Sequence, residues 1–181
     1  MPNQNRGWWY ECDRAKPLDT HTLRAPAKLD GCAIHELVRA CPTLDVNSLY
    51  CYLLLCEHFS ATCIVAESAE GEIDGFVSAY IPPGRPDCLF VWQLAVHERA
   101  RGQRLALRML NYLLSREALH NIAFVETTVG PDNAASRSTF AALAQSYEAR
   151  LVESELFPPA LFGAQAHEDE RLLRIGTLKR A

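Results

Sequence analysis

The sequence predicts one α/β (mixed α+β) domain, a mixed central β-sheet with helices on both faces. Three observations carry that expectation. Apolar residues first recur at helical spacing, at Ile34, Leu37, Val38 and Cys41. Between Cys63 and Val96 the period changes to two, the alternation of strands. After Val96 helical and strand patterns alternate to the end of the chain. The resulting order is β-α-α-β-β-β-α-β-α-β-β, and 181 residues suit a single domain with a substantial core.

Taken in order, residues 1–20 read as a loose tail and residues 21–178 as the domain. A short strand, about Thr22 to Ala25, stops at Pro26. Asp30 is placed to cap a helix that runs to about Cys41, where Pro42 ends it. A second helix covers about Asn47 to His58. Cys63–Ala66 and Gly75–Tyr80 are strands around the turn Glu70-Gly71-Glu72, and Pro82-Pro83-Gly84 breaks the second. Leu89 to Val96 is almost wholly apolar and therefore a central strand. In a helix from about Gln103 to Leu119, Leu105, Ala106, Met109, Leu110, Leu113 and Leu114 form the inner face. A strand at Phe124–Val129, a helix at Ala134–Ala144 and strands near Ala149–Leu156 and Arg171–Leu178 complete the domain.

Composition excludes several functions. A net charge of −4 gives no general attraction to nucleic acid or anionic membrane. No apolar run approaches the roughly 18 residues of a membrane span. The polar start, Met1 to Arg6, lacks the apolar stretch of a secretory signal. Seven cysteines, an odd number without CxxC spacing, fit reduced thiols and a cytoplasmic protein. Motifs for zinc binding, nucleotide hydrolysis and DNA recognition are lacking, so no metal is expected.

The chemistry concentrates after Val96. There a buried strand enters a loop and then a helix start, where unpaired N–H groups and the helix dipole receive anions. Arg99, Arg101, Arg104 and Arg108 crowd the same stretch. These residues fit either an anion site or a basic, solvent-facing first turn.

The run Arg101-Gly102-Gln103-Arg104-Leu105-Ala106 resembles the pyrophosphate loop of the GNAT acetyltransferases, Arg/Gln-x-x-Gly-x-Gly/Ala, with Arg104 where glycine is usual. The resemblance implies acetyl-CoA as co-substrate and two parallel strands that splay apart around pantetheine. It also implies that Asn133 meets the pantetheine arm and that a backbone N–H near Leu94 to Val96 holds the oxyanion. Many family members carry a tyrosine where this chain has Phe140, so the departing thiolate must take its proton elsewhere.

Further stretches, Thr43 to Tyr50, Tyr52 to Phe59, Gly75 to Tyr80 and Phe90 to Gln93, resemble the branch of that family that acetylates L-2,4-diaminobutyrate on the route to ectoine. That branch implies transfer to the γ-amino group and a homodimer. A diamino acid needs acids in its site. Asp45 is either a helix N-cap or a carboxylate for an ammonium group. Tyr50 is either core or an amine-orienting phenol. Trp92 is either core or a wall that stacks on a cation. Glu170 and His167 close an acidic stretch, Leu151 to Glu170, without Lys or Arg; it is either a solvated turn or a cover over the acceptor. Direct transfer needs a base for a lysine-like amine. His167, Glu170 or an Asp45-bound water are the candidates. An acetyl-cysteine route is disfavoured, since no cysteine has an evident activating partner. Two rival readings are another diamine acceptor, ornithine, lysine or a polyamine, and a non-catalytic acyl-CoA sensor.

Overall fold

The computed structural model describes residues 21–163 and 169–179. The elements are β1 (His21–Arg24), α1 (Gly31–Arg39), α2 (Leu49–His58), β2 (Ile64–Ser68), β3 (Ile73–Tyr80), β4 (Cys88–Val96), α3 (Leu105–Leu114), β5 (Phe124–Val129), α4 (Ala134–Ser146), β6 (Arg150–Phe157) and β7 (Glu170–Gly176). The predicted order is the observed one. One seven-stranded sheet runs β1-β2-β3-β4-β5-β7-β6. Among the described residues only β4 and β5 pair in parallel; the other neighbours are antiparallel.

The strands of the first half sort their side chains strictly. Val65 and Phe76 join Ile34, Val38 and Tyr52 in a core under α1 and α2. Ile64, Ala66 and Val77 join Leu110, Leu113 and Leu143 in a second core under α3 and α4. Both faces of β2 to β4 are covered, which is why these strands read as nearly continuous apolar runs. Gly75 permits a close approach of α3 to β3, since a Cβ there would lie 2.8 Å from the sulfur of Met109. β6, by contrast, is an exposed edge.

Three boundaries depart from the pattern reading. Asp30 does not cap α1 with its side chain. Its carboxylate takes the Ala27 N–H at 2.7 Å and both terminal nitrogens of Arg24, at 2.7 and 2.9 Å. α2 begins at Leu49 because Ser48 caps it, accepting the Cys51 N–H. α3 stops at Leu114 rather than Leu119. Beyond it Arg116 turns inward and donates to the carbonyls of Ser60, Ala61 and Cys63, and Glu117–Leu119 forms a separate 3-10 turn. Leu107 is buried with the α3 face, while Ala106 is only partly buried.

Candidate functional site

The site is made by a parallel pair that fails to stay together. β4 and β5 are in register over Cys88–Val91 and Phe124–Thr127, four rungs, and then part. β4 continues to Val96 with β3 on its other edge. At the parting point β4 carries a bulge: Ser78 pairs with Gln93 and Ala79 with Val91, so Trp92 is the extra residue. The Ser78 hydroxyl accepts the Gln93 N–H at 3.1 Å. The bulge reverses the alternation. Leu89 and Val91 belong to the core under α3 before it, and Leu94 and Val96 pack there after it. N–H direction alternates along a strand, and those of Gln93 and His97 are spent on the β3 side. The N–H groups of Leu94 and Val96 therefore point into the opening.

Below that opening lies a cleft of roughly 620 Å³. Leu94 and Val96 form its roof, the segment Ala100–Leu107 its floor except for Gln103, and α4 contributes Asn133, Ser136 and Thr139. The floor is held by an internal ion pair. Arg99 donates to Asp74 at 2.6 Å and pairs with Glu72 at 2.7 Å, while His21 reaches the other Asp74 oxygen at 2.9 Å. Burial pushes the Asp74 carboxyl up, but hydrogen bonds from Arg99 and His21 outweigh it and hold the group below the ordinary range. Arg99 is thus an anchor of the loop, not a ligand in the cleft. Arg101 and Arg104 line the cleft, and Arg108 is absent from its lining. Gln103 instead donates to the Arg99 carbonyl at 3.4 Å.

The loop's backbone is left-handed at two places, Gly102 (φ +76) and Arg104 (φ +55). Arg104 therefore adopts the conformation that the usual glycine would take, and the chain path survives the substitution. The strain is on the order of 1–2 kcal/mol for a residue with a Cβ. Arg104 makes no side-chain cap bond to α3, so its side chain leaves the first N–H groups of the helix open at the cleft. Arg104→Gly is expected to melt about 1 kcal/mol more stably and to bind acetyl-CoA equally well or better. Calorimetric titration with CoA checks it; a large loss of affinity would identify the guanidinium itself as a phosphate ligand.

Asn133 has two roles in the structure. Its side chain accepts the Ser136 N–H and caps α4, and the residue also lines the cleft. Phe140 is buried in the core beneath, 2% exposed, outside the lining. One wall escaped the sequence reading: Cys41 to Leu44, where the Cys41 thiol donates to the Val96 carbonyl at 3.8 Å. The described cysteines are free thiols, and burial pushes Cys56, Cys63 and Cys88 up to about 11, which suppresses nucleophilic thiolate.

The acceptor candidates are distributed around the mouth. Asp45 is exposed, directly after the Cys41–Leu44 wall, and is no N-cap because Ser48 has that role. Tyr50, on the first turn of α2, is 68% exposed rather than core. Trp92 stands on the bulge, 43% exposed. Glu170, half-buried, opens β7, just beyond the rung that joins Arg171 to Val129 at the end of β5. His167 lies outside the described residues. The acidic stretch is partly neutralised: Glu153 is held at about 2 by Arg137 and Arg171. Arg24 is excluded from the pocket, clamped by Asp30 and Glu67 on the edge strand β1. A further cluster went unread: Glu126, 2% exposed, is clamped by Arg85 at 2.7 and 2.9 Å and by Arg174. It lies opposite Phe90, one rung before the strands part.

A parallel strand pair opening over an uncapped helix start and a left-handed loop is the architecture of an acetyl-CoA-dependent N-acetyltransferase. The acetyltransferase (GNAT) family model matches residues 32–144. A protein named L-2,4-diaminobutyric acid acetyltransferase from Bordetella parapertussis is 59% identical over 85% of this chain and 83% of its own length. Another of that name, from Chromohalobacter salexigens, is 47% identical over 85% of this chain and 80% of its own. The solved diaminobutyrate acetyltransferase EctA from Paenibacillus lautus, in complex with its substrate L-2,4-diaminobutyric acid and coenzyme A, superposes with TM-score 0.85 and 40% identity, covering 90% of this chain and 99% of that one. The chain belongs to the L-2,4-diaminobutyric acid acetyltransferase family.

Proposed function

We infer that this enzyme transfers the acetyl group of acetyl-CoA to the γ-amino group of L-2,4-diaminobutyrate, releasing CoA and N4-acetyl-L-2,4-diaminobutyrate, a step of ectoine synthesis. The observation that carries the reading is the match, over nine-tenths of the chain, to an enzyme holding that amino acid and coenzyme A.

The geometry suits direct transfer. The pyrophosphate takes the amides of residues 102–106 at the start of α3, with Arg101 and Arg104 beside it. Pantetheine runs between β4 and β5 toward Leu94, past Asn133. The thioester carbonyl accepts the N–H of Leu94 or Val96, where negative charge develops as the amine adds. Asp45 and Glu170 hold the ammonium groups, Tyr50 orients the reacting amine and Trp92 walls the pocket. His167, Glu170 or a water on Asp45 takes the amine's proton. With Phe140 buried in the core, the thiolate receives its proton from water or from the amine. Residues 21–178 form the catalytic domain, and the protein is a cytoplasmic homodimer. Among the described residues no helix is long and apolar enough to cross a membrane.

The test is steady-state turnover with acetyl-CoA against a panel of amines. Diaminobutyrate is expected to exceed ornithine, lysine and putrescine by about 100-fold in kcat/KM, the scale on which a shaped site rejects an acceptor of the wrong length. Equal turnover of putrescine would remove the substrate assignment while leaving the cofactor site intact.

A further inference from the structure

We propose that Gln93 is a positioning residue for the acceptor side of the site, tying the segment that carries Asp45 to the bulge that carries Trp92. The proposal rests on the reading of Asp45 and Trp92 as acceptor contacts and adds the part that sets them relative to each other.

The Gln93 side chain spans two elements. Its Nε2 donates to the Asp45 carbonyl at 2.8 Å, and its Oε1 accepts from the Tyr52 hydroxyl at 3.2 Å. The Tyr52 oxygen in turn accepts the Asn47 N–H at 3.3 Å. One amide and one phenol thereby grip the segment at two backbone atoms, two residues apart. The amide's orientation follows from its partners: the Asp45 carbonyl can only accept, so a flipped amide would set two acceptors face to face. Gln93 is 5% exposed and Tyr52 0%, so the bond between them is shielded from bulk water. The backbone of Gln93 is itself pinned, its N–H on the buried Ser78 hydroxyl.

The position of this bridge gives it consequence. Cys41 to Leu44 wall the cofactor cleft and are held by their own bonds, Leu44 N–H to the Cys41 carbonyl and the Cys41 thiol to Val96. Asp45 is where the chain leaves that wall, and the Gln93 bond is made there. A buried glutamine on an apolar strand has no packing advantage over leucine, and its amide must be fully satisfied to be tolerated. Here both ends are satisfied by the acceptor segment and the helix behind it.

Gln93→Glu is the sharpest variant. A carboxylate still accepts from Tyr52 but offers no proton to the Asp45 carbonyl; a protonated carboxyl restores the donor. At about pH 8 the KM for diaminobutyrate should rise at least tenfold, with that for acetyl-CoA within about twofold, the scale of a hydrogen bond replaced by two facing acceptors. The ratio of variant to wild-type KM should fall toward one as pH is lowered to about 6, where a buried carboxyl protonates. In Gln93→Leu, amide exchange at Asn47 should accelerate. A rise in both KM values together, insensitive to pH and accompanied by a lower Tm, would reduce Gln93 to packing and overturn the proposal. So would unchanged kinetics and exchange in both variants. Asp45→Ala, measured beside them, separates the two failures. Wild-type diaminobutyrate saturation in Asp45→Ala removes Asp45 from the site, and with it the acceptor reading. A weakened Asp45→Ala beside an unaffected Gln93→Glu overturns the bridge alone.

Discussion

Gly102→Val is expected to raise the KM for acetyl-CoA by at least about tenfold while leaving that for the amine nearly unchanged. The reason lies in the backbone. Gly102 has φ +76, and no atom lies within 4 Å of a Cβ built there. Crowding is therefore not the cost. A β-branched residue resists the left-handed region, and the strain, about 1–2 kcal/mol or more for valine, is relieved only by turning the peptide. That rotation redirects the amides that face the cleft, and 1.4 kcal/mol of lost binding is already tenfold. Gly84 supplies the control, with φ +78 and equally open space, but in the turn before β4. Gly84→Val should lose similar stability without changing acetyl-CoA saturation. Equal KM effects in the two variants would show that the left-handed loop has no special relation to the cofactor.

Glu126→Ala should be strongly destabilising, at about 3 kcal/mol by denaturant titration, toward the low end for breaking a buried ion pair. The carboxylate is 2% exposed and neutralises Arg85 and Arg174, which keep 45% and 40% of their side-chain surface. Their exposure lets water recover part of the loss. The consequence reaches beyond stability, because Glu126 sits one rung before β4 and β5 part. Three elements meet on it: β5 itself, β7 through Arg174 and the turn before β4 through Arg85. Loosening that closure should lower kcat as well as Tm. A variant as stable as the wild type would show that the two guanidiniums find water without penalty.

Much of this architecture was legible in the residues. Ile64, Val65 and Ala66 alternate between two cores, and period two was enough to find them. The loop from Arg101 to Ala106 was recognisable as a strand-to-helix junction, and Asn133 lines the cleft beside it. What escaped was non-local. The amphipathic pattern of α3 runs on through Leu119, but Arg116 leaves the helix to satisfy carbonyls more than fifty residues earlier in the chain. Arg99 counted as one of four cations for an anion until Asp74 and Glu72 claimed it. Gln93 sits in an apolar strand with no local sign of the partners it finds at Asp45 and Tyr52. Asp30 had the right position to cap α1, and Arg24 offered its carboxylate a stronger, bidentate partner. Spacing reveals which face a residue occupies; it does not reveal a partner on another element.

We propose acetyl transfer through the opening between β4 and β5 to the γ-nitrogen of diaminobutyrate. It is tested most directly by following carbon-13-labelled acetyl from acetyl-CoA into product by NMR. A single labelled amide is expected, its carbonyl coupled to the γ-methylene protons through the amide nitrogen, with stoichiometric release of CoA. Label on the α-nitrogen, or CoA release without any labelled amide, would contradict it.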